Sequence, residues 1–419
     1  MKILWITNKI TKAVSVHLGD NSETPSGGWV DGLFTTLIEN PELDFCVSFP
    51  HPTAVSGNTG RFTFHSFPHT NEKTVETDVK NDIAAIIAKE KPDVIHIFGT
   101  EFLHSYSAVC AAEEAGLLDK TVINIQGVMS ACAESYTNGL PWWIVHRFTP
   151  KDFISGNTIA HQKKVFAKMA EWENKVLHKA KNVIGRTDFD KASVLKINGD
   201  LNYYFCNETL RPSFYEGCWE YEKCEPHSIF ISQASYPIKG LHNFLPAAAM
   251  LKEKYPDLKV YVAGAKQIIS GLKAWVRAGS YLRYINALVK KYGLEDTVIY
   301  TGPLVEPRMK ARYLKSNVFV SPSVIENSPN SVAEAMILGV PVVSSDVGGV
   351  RSLLNDKTEG FLYDWDNPKA LAECIGKIFD DIDLAKELSA SAREHAMRTH
   401  NAETNLNTML DIYNDLASK

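Results

Sequence analysis

The stretch Asn317-Val318-Phe319-Val320-Ser321-Pro322-Ser323-Val324-Ile325-Glu326-Asn327-Ser328-Pro329-Asn330-Ser331-Val332-Ala333-Glu334-Ala335-Met336 runs from a β-branched strand through a polar loop into a helix start. Free backbone N–H groups at such a helix start attract phosphate or polar hydroxyls. Glu326 falls in the loop and Glu334 about one helical turn further on, and carboxylates accept paired hydrogen bonds from the vicinal hydroxyls of sugars and riboses. That chemistry suits a nucleotide sugar. The same letters allow a plainer reading, because Ser331-x-x-Glu334 is also the pattern of a capping box, in which the glutamate only returns to the N-cap amide.

Outward from this segment, short apolar runs alternate with helical patterns along the whole chain, the mark of βα units around parallel sheets. A first series of expected strands covers 4–7, 45–49, 61–67, 93–98 and 121–125. Trp29, Leu33, Leu37 and Val30, Phe34, Ile38 form two stripes of one helix, and Val75, Val79, Ile83 and Ile86 mark another that stops near Lys91-Pro92. A second series covers 228–232, 258–263, 297–300, 317–320 and 341–344. Residues 213–227 have no clean period and mixed charge. The predicted organisation is α/β, with two Rossmann-like doubly wound domains at 1–212 and 228–399 facing each other across a cleft. A linker at 213–227 joins them, and a C-terminal helix within 400–419 packs back on the first. Ligands of such sheets bind at the carboxyl ends of the strands.

Composition narrows the classes. With 419 residues, 45% hydrophobic and 22% charged, the chain has the usage of an ordinary globular protein. Lys plus Arg number 44 and Asp plus Glu 49, a formal charge of −5, which disfavours a nucleic-acid partner. Seven cysteines without a C-x-x-C pair suggest a reducing, cytoplasmic setting and no zinc. The first residues lack the apolar core of a signal peptide, and the longest apolar stretch, 335–343, falls short of the ~20 residues that span a bilayer. A soluble protein, or one peripheral to a membrane, is expected.

Two further cues sit at strand ends. In Tyr236-Pro237-Ile238-Lys239-Gly240, after the strand 228–232, the lysine is placed to hold a diphosphate beside a helix N-terminus, although a surface lysine next to a turn glycine is the plainer alternative. In Pro25-Ser26-Gly27-Gly28-Trp29, paired glycines let amides approach an anion. There is no G-x-G-x-x-G after the first strand, no P-loop, no H-E-x-x-H and no G-x-S-x-G, so nicotinamide, P-loop, zincin and α/β-hydrolase chemistry recede.

Glu326 and Glu334 within I-E-N-S-P-N-S-V-A-E-A-M-I-L-G-V-P-V-V, Lys239-Gly240 and Ser345-Asp346-Val347-Gly348-Gly349-Val350 together resemble the retaining family 4 glycosyltransferases of the GT-B fold, glycosyl transferases group 1. The resemblance is tight over 228–352 and looser before, where Gly27-Gly28 and Lys91-Pro92-Asp93-Val94-Ile95-His96 match a glycine turn and a D-x-x-H strand. It implies donor-sugar contacts by Glu326, a ribose contact by Glu334 and diphosphate binding by Lys239. The amides around Asn327, Ser328, Asn330 and Ser331 would meet the sugar, and Gly27 and Gly28 would lie near the donor phosphates. The implied donor is a nucleotide-diphosphate sugar, UDP or GDP, used with retention and without a metal or other cofactor, the leaving phosphate taking the acceptor proton.

Two positions depart from the family pattern. Ala234 stands where members commonly carry a phosphate-binding arginine, and Gln126 where many have a histidine. Lys239, Glu326 and Gln126 are the expected catalytic residues, Gln126 as a hydrogen-bonding partner of a sugar hydroxyl. Arg186 is a candidate to replace the missing charge or else a structural salt bridge; His96 and Glu101 either face an acceptor or sit in the core; Asn207-Glu208-Thr209-Leu210-Arg211 either line the cleft or lead into the linker. The implied acceptor is a glycan or lipid-linked, as in surface or exopolysaccharide synthesis. Leu140-Pro141-Trp142-Trp143-Ile144-Val145-His146-Arg147-Phe148 and the lysine-rich helix at 161–182 read either as a peripheral membrane contact or as ordinary core faces with lysines in solvent. The alternatives to a transferase are a GT-B protein that binds nucleotide or glycan without catalysis and a GT-B sugar-nucleotide epimerase or phosphorylase.

Overall fold

The computed structural model describes residues 1–19, 28–68, 76–264, 269 and 271–419. It divides into two compact units: 1–129, 168–211 and 400–419 form the first, and 130–167 with 212–399 the second.

In the first unit, strands Lys2–Ile6 (β1), Asp44–His51 (β2), Ser56–Asn58 (β3), Thr63–Pro68 (β4), Val94–Phe98 (β5), Thr121–Asn124 (β6), Asn182–Gly185 (β7) and Asn202–Phe205 (β8) pair in the order β3-β4-β2-β1-β5-β6-β7-β8. Every pairing is parallel except β3 with β4. Parallel strands are covered on both faces, which explains why β1 and β5 read as mainly apolar runs: Ile3, Leu4, Trp5 and Ile6 are buried, and so is all of β5, His96 included. The helix Glu76–Glu90 buries Val79, Ile83, Ile86 and Ile87 along one stripe. It ends where Lys91 takes a φ of 49° ahead of Pro92, whose ring disfavours further helix.

In the second unit, Ser228–Ile231 (β9), Lys259–Ala263 (β10), Val298–Gly302 (β11), Val318–Ser321 (β12), Val342–Ser345 (β13) and Phe361–Tyr363 (β14) pair in the order β11-β10-β9-β12-β13-β14, all parallel. The strand order reverses beside β1 in the first sheet and beside β9 in the second. Each sheet thus has a switch point, between β1 and β5 and between β9 and β12.

The C-terminal helix Ala402–Ala417 belongs to the first unit, packing on β5 and on the helix Gly28–Leu37. Its buried stripe is Met409, Ile412, Tyr413 and Leu416, each side chain stabilising by about 1.5–3 kcal/mol when fully buried. The Tyr413 hydroxyl accepts from the Trp5 indole N–H at 2.8 Å and donates to His96 Nδ1 at 2.7 Å.

Two segments depart from the expected organisation. Residues 130–167, counted with the first domain by sequence, pack on the second unit instead. The helix Trp142–Val145 meets the helix Ser280–Lys291, and buried Asp152 accepts from the Ser280 amide at 3.0 Å. Residues 213–227, read as a linker, are structured: Phe214 and Trp219 are buried, and the Trp219 indole donates to Ser316 O at 2.8 Å. Turns Pro212–Tyr215 and Tyr221–Lys223 account for the absent period.

Tyr413→Phe keeps the ring and leaves the Trp5 N–H and His96 Nδ1 without their buried partner, so it should lower unfolding stability by about 1–3 kcal/mol. A urea midpoint equal to that of the parent protein would show that the hydroxyl bridge contributes nothing.

Candidate functional site

Three loops at the carboxyl end of the second sheet converge on Glu326. After β9 the chain makes a turn at Pro237–Lys239, closed by Gly240 with a φ of 68°. A Cβ on Gly240 would stand 1.8 Å from the carbonyl oxygen of Pro322 in the loop after β12, so only glycine permits this approach. The Val324 amide donates to Ile238 O at 2.8 Å and ties the two loops together. The loop after β13 closes from the other side: Gly348, at a φ of 53°, would put a Cβ 1.9 Å from Glu326 O, and the Gly349 amide donates to the same oxygen at 3.1 Å.

Within this frame Lys239 Nζ lies 2.5 Å from Glu326 Oε1, which also accepts from Ser323 Oγ at 2.7 Å. Both side chains keep some contact with solvent, 21% for Lys239 and 14% for Glu326. Burial alone would lower the lysine's pKa, but the Glu326 carboxylate more than offsets it and holds the ammonium well above its ordinary value. The pair sits between the carboxyl ends of β9 and β12, at the switch point, where α/β sheets bind ligands.

The helix Asn330–Leu338 begins at Pro329, which serves as N-cap without a side-chain cap. Ser331 is therefore inside the helix, and the Ser331-x-x-Glu334 pattern is not a capping box here. The amides of Asn330 and Ser331 have no acceptor within the helix, as in any first turn. Glu334 and Asn327 are buried, and Ser328, Asn330 and Ser331 are half-buried. The resulting site offers an ammonium, two carboxylates and helix-start amides at one strand switch, a set suited to an anionic, polyhydroxylated ligand.

Residues 221–395 match the family model described as Glycosyl transferases group 1. This stretch is a group 1 glycosyl transferase domain. The D-inositol 3-phosphate glycosyltransferase of Paenarthrobacter aurescens is 27% identical over 213 residues, 50% of this chain and 48% of that protein. That of Xylanimonas cellulosilytica is 33% identical over 132 residues, 32% of this chain and 31% of that protein. The matches thus span about half the length of these curated relatives or less. Among solved structures, sucrose-phosphate synthase from Thermosynechococcus elongatus superposes with a TM-score of 0.72 at 17% identity, covering 100% of this chain and 99% of that one. Anabaena HepE in complex with UDP-glucose gives 0.69 at 14% identity, covering 100% of both chains. These likenesses establish the fold as GT-B, two Rossmann-like parallel-sheet domains.

The glycosyl transferase domain thus brings together Lys239, Glu326 and the start of the Glu334 helix, while the remaining candidates belong to the first unit. Gly27 lies outside the described residues, and Gly28 is the first residue of the helix Gly28–Leu37. Gln126 is half-buried, its amide donating to Asn124 Oδ1 at 2.5 Å. Arg186, the candidate spare cation, is committed. It is buried in an ion pair with Glu208, donates to Ile125 O at 3.0 Å, and its own amide is held by Asp190. Of the two readings of His96, facing an acceptor or sitting in the core, the structure bears out the core. The His96 side chain is fully buried, stacked on Phe98 and bound to Tyr413, and burial lowers its pKa to about 3, so the ring is neutral. Ala234, at the position of the family arginine, is buried and carries no charge.

Glu101 is also buried, with Oε2 unpartnered. Beside it lies Glu173, which accepts from the Met129 amide at 3.1 Å and from Thr100 Oγ1 at 3.1 Å. Burial, with the Glu173 charge added, pushes Glu101 up to about 7. Sequence reasoning assigned Glu173 no site role, because it sits in a lysine-rich helix that reads as a membrane contact or as a core face with lysines in solvent. Cys46, His65 and Glu90 bring potential ligand atoms within 4.8 Å of one another. The Lys2 ammonium is already 2.8 Å from Glu90, and burial raises the Cys46 thiol to about 12, so the cluster reads as a structural ion network.

Because the folded-state pKa of Glu101 is raised, its contribution to stability is complete below about pH 4.5 and is lost as the pH rises through about 7. Glu101→Gln should flatten that decline in urea midpoints measured between these limits; an unchanged pH profile would refute it. Gly240→Ala should destabilise by more than about 1 kcal/mol, through the clash with Pro322 O and the positive φ, read as a lowered Tm.

Proposed function

We propose that the protein is a retaining, family 4-type hexosyltransferase that moves a sugar from a UDP- or GDP-linked donor to a glycan or lipid-linked acceptor. It would work without a resident metal, in the cytoplasm, in the synthesis of a surface or exported polysaccharide. The observation that carries this reading is the Lys239–Glu326 contact of 2.5 Å at the switch point of the glycosyl transferase domain. An arriving diphosphate competes for the Lys239 ammonium and leaves the Glu326 carboxylate to the sugar hydroxyls. Helix-start amides at Asn330 and Ser331, with Asn327 and Ser328, complete the sugar's polar contacts, and Glu334 takes the ribose. The resemblance further assigns Gln126 to a sugar hydroxyl and Gly27 and Gly28 to donor phosphates.

On this reading Lys239 stabilises the charge that develops on the leaving diphosphate, whose oxygen accepts the acceptor's proton as the new glycosidic bond forms on the same face. Such chemistry rests on positioning and preorganised charge rather than on a protein nucleophile. The neighbours support the donor class, since HepE has been solved with UDP-glucose. A second reading, a GT-B protein that binds nucleotide or glycan without turnover, is favoured by the buried, uncharged Ala234.

Calorimetric titration with UDP, GDP, ADP and their sugar conjugates tests the donor site. One base should bind saturably, with Kd in the micromolar range, and Lys239→Ala and Glu334→Ala should each weaken it about tenfold or more, the loss of one charge-assisted contact. A folded protein that binds none of them overturns the proposal. Donor binding without turnover, across a panel of glycan and lipid-linked acceptors, would select the second reading.

A further inference from the structure

Apolar side chains stand exposed on one side of the second unit, in two segments distant in sequence. Trp142 is 75% exposed, Phe153 82% and Ile154 85%, and Leu272 in the helix Gly271–Val276 is 77% exposed. Phe148 and Trp275 are exposed as well.

Both segments are fastened to the same end of the helix Ser280–Lys291. Trp143 packs edge-on against Tyr284, with ring centroids 6.1 Å apart. Asp152 accepts from the Ser280 amide at 3.0 Å. From the other segment, Trp275 lies 3.6 Å from the Arg283 guanidinium, which donates to Trp275 O at 2.8 Å. Residues 280, 283 and 284 occupy little more than one helical turn, so the two segments form neighbouring parts of one surface.

The charge of that surface has one sign. Arg147, Lys151, Lys273 and Arg277 are exposed. The single acidic residue of 142–154, Asp152, is buried and closes a capping box with Thr149; 271–277 contains none. Exposed aromatics interleaved with cations, and without exposed carboxylates, complement an anionic lipid surface, where rings settle at headgroup level and ammonium and guanidinium groups meet phosphates. A water-soluble partner of mixed charge would not match a face without carboxylates.

We propose that this face, 142–154 with 271–277, docks the protein on an anionic membrane. Trp142, Phe148, Phe153 and Ile154 enter the interfacial layer while the four cations hold lipid phosphates. The lysine-rich helix suggested by the sequence is not the anchor in its second half. There Lys179 pairs with Glu113, and Lys175 lies over Trp172, which packs on Tyr106. Docking of this kind places the protein beside a lipid-linked substrate, yet it is independent of the donor site and is read without nucleotide.

The test is co-sedimentation of the full chain with vesicles of phosphatidylglycerol and phosphatidylcholine, against vesicles of phosphatidylcholine alone. Binding is expected to the anionic vesicles and to weaken with added salt. F153S/I154S and R147S/K151S should each cut the vesicle-bound fraction about tenfold or more, with circular dichroism and Tm matching the parent protein. The proposal is overturned if neutral and anionic vesicles bind alike, or if both variants bind as the parent does. It is equally overturned if vesicles bind nothing while the parent is a dimer that F153S/I154S turns into a monomer, which would make the patch a self-association face.

Discussion

Backbone meeting backbone at Glu326 is the constraint on which the second unit's chemistry depends. The turn after β9 touches the loop after β12 through Gly240 and Pro322, and the loop after β13 touches it again through Gly348 and Glu326 O. Side-chain contacts can relax by changing rotamer; main chain pressed against main chain can move only if a loop is rebuilt. The ammonium of Lys239 and the carboxylate of Glu326 therefore stand on three strand ends at once. Their separation follows from the pairing of β9 with β12 rather than from the flexibility of two long side chains. A charge placed this way loses little entropy on meeting a ligand.

The two units use ion pairs differently. Arg186 and Glu208 are sealed, with side-chain exposures of 3% and 11%, and Arg186 is further held by Ile125 O. Removing one member of such a buried pair leaves an uncompensated charge, at a cost of about 3–5 kcal/mol. Lys239 and Glu326 keep one edge toward solvent, so a competing anion can exchange for the carboxylate without stranding either charge in an apolar interior. One pair fixes the carboxyl ends of β7 and β8; the other stays partly open to solvent at the carboxyl ends of β9 and β12. Glu101 and Glu173 form a third arrangement, two carboxyl groups in one buried space, and there protonation takes the place of a counter-ion.

Much of this was legible in the sequence, for identifiable reasons. β5 and β12 announce themselves because strands covered on both faces are mainly apolar, and Lys239 and Glu326 could be placed because each follows such a strand. What escaped depends on partners remote in the chain. Ser56–Asn58 has no strand-like residue of its own and pairs only because β4 lies alongside. Trp219 turns a polar stretch into part of a core by reaching Ser316. His96, at a strand end, allows a site or a core reading, and the partner that decides between them, Tyr413, lies 317 residues away. Residues 130–167 contain short helices whose apolar residues would suit either unit, and contacts remote in the chain, the Ser280–Asp152 hydrogen bond and the Trp143–Tyr284 packing among them, show which one they joined.

The bridge from Trp5 to Tyr413 joins residues 408 apart in sequence. A chain made from its N-terminus lays down β1 early, but the helix that closes over Trp5 and His96 is made after the whole second unit. Loop closure across that distance is slow in itself, and until it happens the indole, the imidazole and their aromatic neighbours have only part of their cover. The second unit has its segments in hand sooner. The first-made sheet thus receives part of its cover only after the second unit has been made, an interval in which its apolar surface is open to non-native contacts.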